Sequence, residues 1–173
     1  MKKKILIIAL LSVAVIAVAV AVYLVAFKED DVLVPDYAPP VVESNVEKIE
    51  GDSGDKLEAS EGGGAIGLEY SKNVTIDLSD DKAYMIFANP AKSYNSMLVQ
   101  VVVQGQVVAQ SGTLEPGFRI TSDGLKLVSG AAAKLQAGVY SSDVKFVVNY
   151  YDPENNEKAV LSTEIPITLT VQE

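Results

Sequence analysis

From Ala65 to the C-terminus, the apolar residues come in short runs of period two, each cut off by Gly, Pro, Asn or Asp. That texture constrains the fold more than any other feature, because it leaves no room for a long helix. Val74, Ile76 and Leu78 alternate with Thr75 and Asp77, and Ser79-Asp80-Asp81 ends the run. Residues 83–88 form a second run, stopped by Asn89-Pro90. Met97 to Gln104 is a third, with Val99, Val101 and Val103 on one face. Gly105-Gln106 reads as a two-residue hairpin turn, with Val107 to Gln110 returning. Glu115-Pro116-Gly117 has the Pro and Gly of a type II turn before Phe118-Arg119-Ile120. Val144 to Tyr151 is a long strand, turned back by Asp152 to Glu157. The last run, 159–171, places Ile165, Ile167, Leu169 and Val171 on one face. Residues 129–135 hold at most one or two helical turns. The pattern predicts an all-β fold: an antiparallel β-sandwich of about seven to eight strands over residues 65–173. Pro166 donates no ladder hydrogen bond, so its strand should lie at an edge or switch sheets there.

The run Leu135-Gln136-Ala137-Gly138-Val139-Tyr140 resembles the corner before the penultimate strand of immunoglobulin-like sandwiches. In that corner a tyrosine hydroxyl bonds back to backbone a few residues upstream. Leu135, Gly138 and Tyr140 are the structural residues so expected. The ordered set Asn89-Pro90, Ser111 to Gly117, Leu135 to Tyr140, Tyr150-Tyr151-Asp152 and Ile165-Pro166-Ile167-Thr168 resembles a group of small exported proteins of Gram-positive gut anaerobes. The resemblance implies an N-terminal membrane segment, an acidic linker and one immunoglobulin-like domain. It implies no activity and no catalytic residue.

The N-terminus is read separately. Lys2, Lys3 and Lys4 precede an uncharged run from Ile5 to Phe27, and Lys28-Glu29-Asp30-Asp31 follows. As a helix that run is about 34 Å long, enough to cross a hydrocarbon core of about 30 Å. The lysine flank favours a cytoplasmic N-terminus and an extracellular C-terminal domain. The alternative is a cleaved signal peptide, but the run exceeds the usual h-region and its Ala-x-Ala pairs sit inside it. The predicted organisation is a transmembrane anchor over 1–27, an acidic disordered linker over 28–64 and the sandwich over 65–173. The linker stretch Lys28–Gly62 carries eleven acids against three lysines. Its prolines and glycines predict an extended spacer, with at most a helical turn at Asn45 to Glu50.

Composition narrows the chemistry. The chain has no His and no Cys, which removes the usual general base, the Ser-His-Asp triad, thiolate metal sites and disulfides. The net charge of −9 shows no basic cluster, so no nucleic-acid partner is expected. Two acid-rich turns are calcium candidates, Asp77-Ser79-Asp80-Asp81 and Asp152-Glu154-Asn155-Glu157, although neither has the spacing of a known loop. Lys145 and Asn149 share a strand face, as an internal Lys–Asn cross-link would require, but on the expected solvent side. Ser129 is misplaced for a Ser-x-x-Lys pair with Lys134. Tyr84, Tyr94, Tyr150, Tyr151 and Phe118 are the aromatic residues that could line a ligand surface. The expectation is no enzyme, no cofactor and no metal. The expected role is a membrane-anchored extracytoplasmic binding or scaffold module of the cell envelope. The alternative is an accessory subunit of a pilus or secretion system. The partners expected are the bilayer itself and an envelope protein or glycan.

Overall fold

A computed structural model describes residues 41–57 and 66–173, all within the compact unit Leu33–Glu173. Thirteen strands are present among the described residues. They are β1 (Val46–Lys48), β2 (Glu69–Tyr70), β3 (Asn73–Asp77), β4 (Lys82–Tyr84), β5 (Phe87–Asn89), β6 (Ser96–Val103) and β7 (Gln106–Gln110). The others are β8 (Phe118–Ile120), β9 (Leu125–Lys126), β10 (Gly138–Tyr140), β11 (Val144–Tyr151), β12 (Lys158–Pro166) and β13 (Thr168–Gln172). The helical content of the described residues is one 3₁₀ turn, Ala132–Lys134.

The strands form three open sheets, ordered β1-β8-β5-β2, β10-β13-β3-β4-β9 and β12-β11-β6-β7. This corrects the immunoglobulin-like sandwich of seven or eight strands. All-β holds, but the runs are broken into more and shorter strands. The sheets are also not wholly antiparallel, because β13 runs parallel to β3, from Thr168 opposite Asn73 to Gln172 opposite Asp77. Pro166 shows how that pair arises. It is the last residue of β12, an edge strand, and β13 begins two residues later in a different sheet. Without an N–H to extend the ladder, the chain crosses over.

The longest ladder is β11 against β6, eight pairs in unbroken register from Val144 opposite Val103 to Tyr151 opposite Ser96. Its alternate residues Val99, Val101, Phe146 and Val148 are fully buried. The core is shared by all three sheets. Phe146 of β11 meets the edge of Phe87 of β5 at 5.8 Å between ring centres, and Tyr70 of β2 at 6.5 Å. Ile76 of β3 and Leu169 of β13 close it from the remaining sheet. The β6–β7 turn lies one residue earlier than expected: Gln104 and Gly105 are its central pair, with φ of 50° and 80°. Positive φ at both positions is the type I′ geometry that matches hairpin twist.

The anchor reading is corrected as well. No helix among the described residues is long and apolar enough to cross a membrane. The run from Ile5 to Phe27 and its flank Lys2, Lys3 and Lys4 lie outside the described residues. The single-pass topology, the cell-membrane localisation, the extracellular placement and the bilayer as partner therefore find no support. The disordered linker is corrected in its described part. Residues 41–57 are docked on the domain, and the expected helical turn at 45–50 is instead strand β1. Pairing with β8 overrides a weak local preference for helix.

Phe146→Ala removes the ring that joins β11 to Phe87 of β5 and Tyr70 of β2 within the shared core. It should cost about 3–5 kcal/mol, read as a lower midpoint in equilibrium urea unfolding with an unchanged slope.

Candidate functional site

Two features of the described surface have the geometry to hold something. The first is an open cleft of about 670 Å³ at one end of the β12-β11-β6-β7 sheet, lined by Gln104, Gly105, Ser141, Asp143, Lys145 and Glu164 among others. Two of its three charged side chains are paired with each other: Lys145 Nζ lies 2.7 Å from Glu164 Oε2. The Asp143 carbonyl accepts from the Gln104 amide at 2.7 Å. No set of unpaired groups converges there.

The second is a groove along β8 and the Ser111–Thr113 segment, and here the chain itself is the ligand. Residues 41–49 lie in it as an extended strap. The Glu43 amide donates to the Thr113 carbonyl at 3.0 Å, and the Thr113 amide donates to the Val41 carbonyl at 2.9 Å. Thr121 N–H donates to the Asn45 carbonyl at 3.1 Å, and Ile49 N–H to the Gly117 carbonyl at 2.9 Å. Between these, β1 and β8 pair antiparallel, with Val46 opposite Ile120 and Glu47 opposite Arg119.

Two strap side chains clamp the backbone pairing. The Glu43 carboxylate accepts from its own neighbour Asn45 N–H at 2.9 Å and, across the groove, from Gly112 N–H at 2.6 Å. The Asn45 amide donates to the Gly124 carbonyl and accepts from the Thr121 hydroxyl. Both arms of the amide are thus used, on a tight turn that begins at Thr121. Glu47 adds an exposed ion pair to Arg119 at 2.7 Å, worth at most about 1 kcal/mol. Farther along, Asp52 Oδ2 accepts from Ala91 N–H at 2.5 Å, and Lys56 Nζ donates to the Ser93 carbonyl at 2.8 Å.

The strap is held by polar groups rather than by the core. Val41 is 79% exposed and Val42 58%, while Val46 packs against the core from the side. The groove floor, by contrast, is rigidly built. Asn89 is fully buried, and its Nδ2 donates to the carbonyls of Asn95 at 3.0 Å and Leu114 at 2.9 Å. Its own carbonyl accepts from Gly117 N–H at 2.7 Å. One side chain and its backbone therefore hold both ends of the Glu115-Pro116-Gly117 turn, which leads into β8. Gly112 sets the width. A Cβ there would stand 2.7 Å from the Glu43 nitrogen and would also strike the Val41 carbonyl oxygen.

Sequence reasoning missed this site. Glu43 and Asn45 sat in the expected linker, and Asn89 was read as a strand stop. The stretch carried no strand signal, because Val42, Val46 and Ile49 fall at i, i+4 and i+7, the spacing of a helix; the one hint was Asn45, whose side chain favours local backbone bonds.

The other expected residues fall in separate places. The Tyr140 hydroxyl donates to the Gln136 carbonyl at 2.8 Å and accepts from the Gln136 amide at 3.1 Å. Leu135 is buried beside it and Gly138 opens β10. The acid-rich turns are tied by local hydrogen bonds. Asp77 Oδ1 accepts from the Ser79 hydroxyl at 2.6 Å and from its amide at 2.9 Å. Asp152 and Asn155 each accept from an amide two residues on, both at 2.8 Å. Among the described residues no group of three or more acids could hold a metal ion. Lys145 is engaged with Glu164 and Asn149 is buried, so the two do not form a cross-linking pair. The tyrosines do not form one platform. Tyr150 is buried, with its hydroxyl on Thr163 at 2.6 Å. Tyr84 donates to Asp80, which pushes its phenol up to about 12.

No family model, no curated protein and no solved structure matches the chain. The resemblance to small exported immunoglobulin-domain proteins is accordingly corrected. It rested on turn and corner residues, and short turns recur in β proteins of unrelated topology.

Two measurements follow. Gly112→Val should overpack the groove and cost about 1–3 kcal/mol, with the amides of Glu43 and Thr113 losing protection from hydrogen exchange while the β6–β11 amides keep theirs. Asp77 is held below its ordinary value of 3.8, first by the Ser79 hydroxyl and then by the Ser79 amide. A depressed carboxyl stabilises the fold above its unfolded pKa, and that contribution is lost as pH falls through the folded value. Asp77→Asn should therefore melt below the native chain at pH 7, with the gap narrowing as the pH falls below 3.8.

Proposed function

We propose that this chain is a non-catalytic protein-recognition domain that holds extended polypeptide by strand pairing in the groove along β8. The observation that carries the reading is the docking of residues 41–49. Backbone pairing on β8 and Thr113 supplies affinity, and the Glu43 and Asn45 clamps supply a side-chain code. This is the chemistry of strand addition, in which main-chain bonds bind and alternate side chains select. A β8 of three residues, with β5 on its other side, offers one open edge to the strap. Support for a non-catalytic role comes from composition. With neither His nor Cys, the common nucleophile–base pairs have no members here. The membrane-anchored and envelope-assembly readings are not part of this proposal.

The test uses the full chain with Glu43→Ala and Asn45→Ala, which weakens its own strap and leaves the groove intact. A fluorescent peptide of sequence 41–50 is titrated against it by anisotropy. Binding should be at least about tenfold tighter than to the native chain, whose groove is filled at an effective concentration of about millimolar. A peptide carrying the same two alanines should not bind. Equal binding of both peptides, or of neither, contradicts the proposal.

A further inference from the structure

The geometry points to reciprocal exchange of the strap between two copies of this chain, so that Glu43 and Asn45 of one copy complete the groove of the other. This rests on the reading of the groove given above and names its partner.

Four observations carry it. First, the strap's contacts reach residues far away in sequence: Gly112, Thr113, Gly117, Thr121 and Gly124. The groove therefore exists without any local connection to its occupant. Secondly, the strap adds little to the core. Its bonds are peripheral and its first two valines are exposed, so it can open without unfolding the body. Thirdly, the strap's chemistry fits the groove side chain by side chain. Every second copy carries that matching segment at the same positions. Fourthly, covalent geometry permits the transfer. Leu57 N–H bonds to the Lys92 carbonyl, and Gly67 N–H to the Ser93 hydroxyl at 2.8 Å. The two ends of the connection are thus held at neighbouring residues. The eight residues between Leu57 and Ile66 can extend to about 30 Å, several times what joining adjacent anchors requires.

A reciprocal exchange satisfies both grooves with two-fold symmetry and leaves no open end. Its balance against self-docking is set by concentration. Self-docking competes at an effective concentration of about millimolar, so exchange is minor at roughly 10 µM chain and substantial near 1 mM.

The absence of cysteine makes the test clean. Glu47 and Arg119 face each other across β1 and β8 with exposed side chains, and directly opposed residues are within disulfide reach. Two full-length variants are made, Glu47→Cys and Arg119→Cys, and mixed in equal amounts in a glutathione redox buffer. The double variant Glu47→Cys/Arg119→Cys is the control for self-docking, read by mass and by gel mobility. The expected result is a covalent heterodimer in clear excess over both homodimers, rising at least about tenfold in a fixed time between roughly 10 µM and 1 mM chain. A 1:2:1 statistical mixture, or monomers alone at 1 mM while the double variant closes its internal disulfide, overturns the exchange and leaves the groove reading standing. Failure of the double variant to close overturns both.

Discussion

The edge-to-face contact of Phe146 with Phe87 is the interaction on which the rest depends. Ten of the thirteen described strands are only two to five residues long. A strand of that length has no stability alone. What fixes these strands is a shared apolar centre. Phe146 comes from β11, the middle of the longest ladder, Phe87 from β5 and Tyr70 from β2. Val74, Ile76, Leu169 and Val171 face the same cluster from the sheet built on β3 and β13. Burying a phenylalanine is worth about 1.5–3 kcal/mol, and a strand of three residues has few ladder bonds of its own. The sheets are therefore arranged around the rings.

The groove follows from that arrangement. Phe87 is fixed in the core, and two residues later Asn89 is fully buried as well. A donor at that depth needs partners, and its Nδ2 finds the carbonyls of Asn95 and Leu114. Those bonds hold the turn before β8 and so present the edge of β8 at a fixed position. Glycine at 112 lets another backbone approach closely. The strap then fills an acceptor shaped by the core, using backbone bonds and two polar side chains. A rigid floor and a peripheral occupant are what an exchangeable contact requires, because the occupant can leave without dismantling its site.

The sequence made part of this legible. Period-two runs such as Val99-Val101-Val103 and Val144 to Val148 reported β6 and β11 directly, since alternation is what a half-buried strand needs. The Pro166 crossover was readable from the missing N–H alone. The number of sheets was not, because runs like Ala83 to Ala88 hide a break between β4 and β5 that only tertiary pairing creates. The parallel β13–β3 pair was equally hidden, for it joins residues nearly the whole domain apart. Glu43 and Asn45 escaped notice because their stretch is acidic and sparse in apolar residues. Its order comes from hydrogen bonds to segments about seventy or more residues away, which leave no periodic trace. The Tyr140 corner shows the converse. The Tyr140 hydroxyl bonds to the Gln136 backbone four residues upstream, and such a local contact does not fix the topology around it.

The central claim is that residues 41–49 form a strand on the domain and not a free spacer. Residue-resolved amide hydrogen exchange on the full chain tests it most directly. The amides of Glu43 and Ile49 on the strap, and of Thr113 and Thr121 on the groove, each donate across the contact. The account predicts that all four are protected well above unstructured rates and respond together when the strap is weakened. Exchange of Glu43 and Ile49 at the rate of an unstructured peptide, with the β6–β11 ladder still protected, would contradict it.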